Sequence, residues 1–382
     1  MEAKLGINRT GMSLGEKLGQ VTWGLVLLLV LTACVGFAMM YSAANGSYDP
    51  WAWRQMVRFS VGVAMMLAIA LVDVRLWLQS AYAIYAVALV LLVLVEIMGI
   101  TGSGAQRWVD LWLFQLQPSE VMKIALVMAL ARYFHGLTLD EARRPSALLV
   151  PLFLMLAPAA LVLRQPDLGT ALLLLISGTA LLFVAGVRVW VFASTIAAGL
   201  AAIPVGWQFL HDYQKQRIFT FINPERDPLG AGYHILQSKI ALGSGGVGGK
   251  GFLAGSQSHL NFLPEKQTDF VFTMLAEEFG LVGGLVLIGL YALILIYGIA
   301  ISMRSTSHFG RLLGMGLTTT FFVYVFINIA MVTGLVPVVG VPLPLVSYGG
   351  TSMMTILIGF GLIMGVYVHR DVAIPRLGGG PV

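Results

Sequence analysis

The sequence predicts an all-α polytopic membrane protein, and three observations carry that reading. Of its 382 residues, 58% are hydrophobic and only 11% are charged, against roughly a quarter charged in an average soluble domain. The mean hydropathy is +0.86. Apolar runs of about twenty residues recur from end to end, and each can cross a hydrocarbon core of about 30 Å.

About ten transmembrane helices are expected, near 20–42, 55–72, 78–99, 118–134, 146–163, 167–186, 189–210, 270–303, 311–334 and 352–368. The fourth and eighth carry charges inside them. The tails 1–19 and 369–382 flank a single integral membrane domain covering 1–382, and residues 211–269 form its one large loop. The first twenty residues are polar and the apolar run after them is too long for a signal-peptide core, which predicts an uncleaved first helix.

Orientation follows from the excess of Lys and Arg on cytoplasmic connections. With both termini in the cytoplasm, the inner segments collect twelve basic residues and the short outer connections five, Arg54, Arg58, Arg107, Lys123 and Arg164. The large loop then faces outward. This asymmetry accounts for the pI of about 9.3 without a nucleic-acid partner. The single cysteine, Cys34, sits in a span and forms no intrachain disulfide. The six histidines show no metal-ligand spacing.

Taken in chain order, the first informative connection is 99–120, which leads into Gln117-Pro-Ser-Glu-Val-Met-Lys123. Proline suits the first helical position, and Glu120 and Lys123 share one helix face. They form either a neutralised pair that locks two helices or, with the helix N-terminus, an anion site. A second helix begins at Arg164-Gln-Pro-Asp-Leu-Gly-Thr170. Asp167 is either an ordinary helix-start acid or part of the same site wall. In the large loop, Gly243, Gly245 and Gly248 match a dinucleotide-binding pattern, but no strand precedes them. Gly249-Lys250 lacks the rest of a phosphate-binding loop, and Gly11-x-Ser13-x-Gly15 has no strand to carry a nucleophile elbow. The glycine run 243–251 is either a hinge for a lid or a close-packed cap.

The loop returns to the membrane at Asn261-Phe-Leu-Pro-Glu-Lys-Gln-Thr-Asp-Phe270. Asp269, at that boundary, is the leading candidate for chemistry. Glu277 and Glu278 follow in the eighth span, where acids face protein or water. Their ordinary role is to be satisfied by nearby arginines or backbone. Residues 335–352 contain three prolines, so they form no regular helix. Being apolar, they are expected to dip into the protein at membrane depth. Gly361 and Gly365 give the last span a small-residue packing face.

These segments together resemble the SEDS family of bacterial cell-wall proteins. The matching residues are Gly104-Ala-Gln-Arg-Trp108, Gln117-Pro-Ser-Glu120, Lys123, Gln165-Pro-Asp-Leu-Gly-Thr170, Asp227-Pro-Leu-Gly230, Gly232, Tyr233, Gln237-Ser238, Ala241, Gly243, Asp269-Phe270, Phe272, Ala276-Glu-Glu278, Gly280, Pro344-Leu345 and Ser347-Tyr-Gly-Gly350. The short tails and residues 338–344 are closer to the elongation member than to the division member. The resemblance implies a peptidoglycan glycosyltransferase that polymerises lipid II and releases undecaprenyl pyrophosphate during elongation and rod-shape maintenance. It places the enzyme in the bacterial cytoplasmic (inner) membrane, its active site facing the periplasm or exterior. It implies a class B penicillin-binding transpeptidase, other elongation-machinery membrane proteins and membrane lipid as partners. The family's functional aspartate carries over to Asp269, and its buried acid and base to Glu120 and Lys123.

Residue chemistry is compatible with that implication. Glycosyl transfer from a diphosphate needs a base for the acceptor hydroxyl and positive charge on the leaving group. Asp269 is the catalytic candidate; Lys123, Glu120, Arg107, Asp167, Arg164 and Lys266 are the substrate-binding candidates. No cofactor is required by this set, and a divalent cation stays open. The competing readings are a flippase for a lipid-linked precursor, the division-specific family member, and a non-catalytic scaffold.

Overall fold

The computed structural model describes residues 12–102, 105–110, 115–209, 215, 219, 223, 231–260 and 265–375. Residues 1–11 of the tail, the Asp227-Pro-Leu-Gly230 stretch and Asn261–Pro264 lie outside them.

In chain order the helices begin with α1 (Leu14–Gly19), α2 (Trp23–Ala43), α3 (Ala52–Leu71) and α4 (Val74–Met98). Three short antiparallel strands follow, β1 (Ile100–Gly102), β2 (Ala105–Asp110) and β3 (Gln115–Leu116), in the order β1-β2-β3. Then come α5 (Pro118–His135), α6 (Leu139–Ala142), α7 (Leu149–Arg164), α8 (Leu168–Val184) and α9 (Val189–Phe209). The large loop contributes α10 (Ala231–Ser244) and α11 (Ser256–His259). The chain ends with α12 (Val271–Arg304), α13 (His308–Val332) and α14 (Gly350–Val368). The strand triplet was not anticipated: its residues lack a clean alternation, and pairing rather than pattern defines them.

Seven of the ten expected spans coincide with described helices long and apolar enough to cross a membrane. The other three fall on α5, which carries Glu120, Lys123 and Arg132, and on the shorter apolar stretches of α8 and α9. Local chemistry sets several starts. Pro118 opens α5 as expected. Asp73 caps α4 by accepting from the Arg75 N–H at 2.8 Å, and Ser307 caps α13 through Gly310 N–H.

The expected eighth span is not one straight helix. At about 51 Å for 34 residues, α12 would overshoot the hydrocarbon core, and it breaks at Gly280 (φ +65°, ψ −160°). Residues 281–304 alone rise about 36 Å, enough to span. Glu277 and Glu278 therefore belong to the short piece before the break, not deep in a continuous span. The glycine run packs into this break. A Cβ at Gly245 would stand 2.0 Å from the Ala276 carbonyl, and one at Gly249 2.1 Å from the Glu278 carbonyl. Lys250 and Gly251 N–H groups donate to the Glu277 and Glu278 carbonyls at 3.0 and 2.9 Å. The close approaches in this run are at Gly245 and Gly249.

Two further expectations are met. Gly361 and Gly365 lie against α3, where a Cβ at Gly361 would meet the Met66 carbonyl at 2.7 Å. Of the stretch 335–352, residues 335–349 form no helix and the last three open α14; the part from Val341 to Ser347 runs inside the protein, with Val341, Leu343, Leu345, Val346 and Ser347 buried. Gly36 of α2 and Gly169 of α8 admit this segment: a Cβ at either would lie within 2.8 Å of the Leu345 or Val339 carbonyl.

Candidate active site

Asp269 stands two residues before α12, in a turn that is fastened on several sides. Its carbonyl accepts from Asn328 Nδ2 of α13 at 3.0 Å, and the same amide donates to the Val341 carbonyl at 2.7 Å. Ser347 Oγ donates to the Thr268 carbonyl at 2.5 Å, and Tyr348 N–H to the Gln267 carbonyl at 2.8 Å. Gly340 (φ +72°) has no side chain where a Cβ would lie 3.5 Å from Asp269 Oδ2. The turn and the buried proline-rich segment thus form one unit around the carboxylate.

That carboxyl is pushed up to about 6, first by burial and then by the negative charges of Glu265 and Asp167. A base of this strength is mostly ionised at neutral pH yet holds a proton far better than an exposed aspartate. Lys266, in the same turn, is buried, and burial lowers its pKa.

Asp167 is a helix-start acid, one of the two readings considered for it. It caps α8, accepting from Thr170 N–H at 3.2 Å and Thr170 Oγ1 at 2.9 Å. It also faces Arg107 of β2, whose Nε lies 3.7 Å from Asp167 Oδ2. Arg107 donates to the Pro166 carbonyl at 2.7 Å, so the strand segment is tied to the start of α8. Asp269, Asp167, Arg107 and Glu265 therefore share one end of the bundle. Arg164 does not join them through a contact; its guanidinium is 75% exposed and pairs with Glu96 at 3.0 Å.

Glu120 and Lys123 meet as their spacing requires, with Lys123 Nζ 2.8 Å from Glu120 Oε1 and both residues buried. Tyr324 of α13 closes the pair into a triad. Its hydroxyl donates to Glu120 Oε2 at 2.8 Å and accepts from Lys123. The ammonium also lies 4.3 Å from the Tyr324 ring centroid. An apolar cavity of about 40 Å³ adjoins Lys123 and Tyr324, walled by Phe321, Ile356 and Phe360. Tyr324 and Asn328 are four residues apart on α13, so the triad lies one turn, about 6 Å along the axis, from the amide that holds Asp269.

The acids of the broken helix form a separate cluster. Glu277 Oε1 accepts from Lys250 Nζ at 2.7 Å, Ser256 Oγ at 3.2 Å and Gln257 N–H at 2.9 Å. Glu278 accepts from Ser42 and faces His259 Nε2 at 3.4 Å. A lysine, a histidine, hydroxyls and, as expected, backbone meet these acids, while Glu278 Oε2 is buried with no hydrogen-bond partner among the described residues. Among the described residues no group of three or more His, Cys, Asp or Glu is placed to hold a metal ion.

Sequence reasoning missed Tyr324 and Asn328. Each is one polar residue in an apolar helix, and neither spacing nor composition distinguishes it.

Comparisons with known proteins place the chain in a family. A family model described as cell cycle protein, covering FtsW, RodA and SpoVE, matches residues 20–372. The peptidoglycan glycosyltransferase MrdB of Escherichia coli K12 is 44% identical over 348 residues, covering 91% of this chain and 94% of that one. A probable peptidoglycan glycosyltransferase FtsW of Trichlorobacter lovleyi is 38% identical over 367 residues, covering 92% and 94%. Among solved structures, a chain from a peptidoglycan synthase complex that coordinates polymerization and crosslinking superposes with a TM-score of 0.80 at 32% identity, covering 92% and 98%. The rod shape determining protein RodA of Thermus thermophilus gives 0.69 at 29% identity, covering 92% and 97%.

Proposed function

The chain belongs to the FtsW, RodA and SpoVE family of membrane proteins, and we propose that it is the peptidoglycan glycosyltransferase of cell elongation, with Asp269 as its general base. The observation that carries this reading is the 44% identity to MrdB across 91% of the chain, on a structure in which Asp269 is held at one end of the bundle with a carboxyl pushed up to about 6. The substrate is lipid II, presented from the outer face of the bacterial cytoplasmic membrane. The Lys and Arg asymmetry of the sequence supports that orientation.

In this reading Asp269 takes the proton from the 4-hydroxyl of the acceptor N-acetylglucosamine. The oxygen attacks C1 of the growing strand's N-acetylmuramic acid, whose bond to the diphosphate oxygen breaks, and undecaprenyl pyrophosphate leaves with the bonding pair. A diphosphate is already a good leaving group, so no second carboxyl is needed to protonate it. Lys123 offers positive charge to a diphosphate and Glu120 positions it, with Tyr324 orienting both. Arg107, Asp167, Arg164 and Lys266 are assigned to the sugar and phosphate end of the substrate. A class B penicillin-binding transpeptidase is the partner proposed, supported by the similarity to a chain of a peptidoglycan synthase complex.

The test is polymerisation of lipid II by the purified full-length protein, read as glycan chains on a gel. Chains from wild type and none from Asp269→Asn is the expected result. Lipid translocation without any polymer would instead favour a flippase.

A further inference from the structure

Lys123 shares its charge with Glu120, and Tyr324 occupies another of its donors, so it offers a diphosphate only part of its capacity. Glycan polymerisation as proposed above brings two lipid diphosphates to the protein at once. A second cation that is not spent on a carboxylate is therefore of interest, and α3 provides one.

Arg58 lies on α3 beside the first turn of α14. Were Gly350 to carry a Cβ, it would stand 3.2 Å from the guanidinium carbon and 3.2 Å from Nη1. The guanidinium also lies 5.2 Å from the Tyr348 ring centroid. Among the described residues no carboxylate comes within ion-pair distance of it. The helix it faces is 19 residues long, starts at a glycine cap, and has no side chain bonded to its first turn. Its leading N–H groups therefore point outward without a helical partner, at the positive end of the helix dipole. One more donor stands there. Ser352, three residues past the cap, is 7% exposed, and its Oγ is buried with no hydrogen-bond partner. Its Cβ lies 3.7 Å from where a Cβ of the cap residue Gly349 would be, so the hydroxyl-bearing side chain stands beside the empty capping position. Gln55, one turn before Arg58, anchors the approach by donating from Nε2 to the Ser347 carbonyl at 2.9 Å.

From this juxtaposition we infer that Arg58, the α14 N-terminus and Ser352 form a binding site for the phosphate of a lipid-linked substrate or lipid headgroup, separate from Lys123. The chemistry fits an anion with several acceptor oxygens: a planar guanidinium, backbone N–H groups and a hydroxyl all donate. The site adjoins Asp269, because Tyr348 and Ser347 bond to the Gln267 and Thr268 carbonyls of the same turn. Glycine at 350 keeps the guanidinium against the helix end. The inference rests on the glycosyltransferase reading only for the identity of the lipid, not for the existence of the site.

The experiment uses the full-length protein in phosphatidylcholine nanodiscs, with radiolabelled undecaprenyl pyrophosphate as probe and either inorganic pyrophosphate or phosphatidylglycerol as competitor. Arg58→Gln should weaken binding roughly 10- to 100-fold, the range for losing a charge-assisted hydrogen bond. Ser352→Ala should weaken it a few-fold, and Arg58→Lys should recover part of the loss, since lysine keeps the charge without the fork. Asp269→Asn should bind as wild type. Competition by inorganic pyrophosphate alone assigns the site to a diphosphate substrate; equal competition by phosphatidylglycerol assigns it to membrane headgroups, and both outcomes support the site. Wild-type affinity in folded Arg58→Lys and Ser352→Ala proteins, with Arg58→Gln also unchanged or unfolded, overturns it. Arg58-dependent binding by a protein that polymerises nothing would sink the proposed activity and leave this site standing. Normal polymerisation with Arg58-independent binding would do the reverse.

Discussion

Asp269→Asn should abolish polymerisation and make the protein more stable. The carboxyl moves from an ordinary 3.8 to about 6 on folding, which corresponds to at most about 3 kcal/mol of destabilisation at neutral pH. Asparagine keeps the shape and carries no charge to desolvate. The sign follows from which state holds the proton. A carboxyl whose pKa is raised by folding destabilises the native state above the raised value. That cost is relieved as pH falls through about 6 and is gone near 4, where folded and unfolded chains are both protonated.

The stability advantage of the asparagine variant should therefore be full at pH 7.5 and shrink towards zero near pH 4. Thermal unfolding of both proteins in one detergent, followed by intrinsic tryptophan fluorescence across that range, measures it. Loss of a base lowers turnover by on the order of 10²–10⁴-fold, and wild-type activity should fall away below about pH 6. An asparagine variant that unfolds earlier than wild type at pH 7.5 would refute the reasoning, because the carboxylate would then be stabilising. Retained polymer synthesis would refute the assignment of the base.

Other consequences are narrower. Tyr324→Phe removes the hydroxyl shared by Glu120 and Lys123; it should cost about 1–3 kcal/mol in thermal stability and lower polymerisation of lipid II by about tenfold or more. The double exchange Glu120→Lys with Lys123→Glu should fold but not turn over, whereas either single exchange leaves like charges buried together and should cost several kcal/mol; full activity in the double variant would make the pair purely structural. Gly280→Ala places a Cβ 2.4 Å from the Gly249 nitrogen at a φ of +65°, and should lower the unfolding temperature while speeding hydrogen exchange over 245–251. The Lys250 and Gly251 amides, bonded to the Glu277 and Glu278 carbonyls, should gain protection from hydrogen exchange when a lipid II analogue is added if the loop is a mobile lid; unchanged, strong protection across 241–255 in both states would make it a rigid cap.

Much of this was legible in the sequence because a membrane restricts what a residue can mean. Apolar length locates the helices, Pro118 and Asp167 mark two helix starts, and three prolines in an apolar stretch force a buried irregular segment at 335–349. Asp269 was conspicuous as a carboxylate at a polar-to-apolar boundary. What the sequence concealed depends on three-dimensional pairing. Gly280 reads as one more small residue in an apolar run, and only the glycine loop filling its break explains the left-handed backbone. The 243–251 glycines read equally well as a hinge. Tyr324 and Asn328 gain their roles from residues some 60 to 200 positions away, Asp269, Lys123 and Glu120, which no local pattern encodes.

Helix α13 gives the site its unity. Tyr324 holds the buried ion pair and Asn328, one turn on, holds the Asp269 turn and the Val341 carbonyl together. A shift of α13 along its axis would thus move the positively charged lysine and the base in the same sense, keeping their separation nearly fixed. Arg58 is fastened differently, through α3 and the start of α14. The two cationic groups therefore belong to separately supported elements, which meet at the turn 265–270. On the proposed reading, the two phosphate-binding cations are carried by separately supported elements, while the base and the lysine are tied to the same helix.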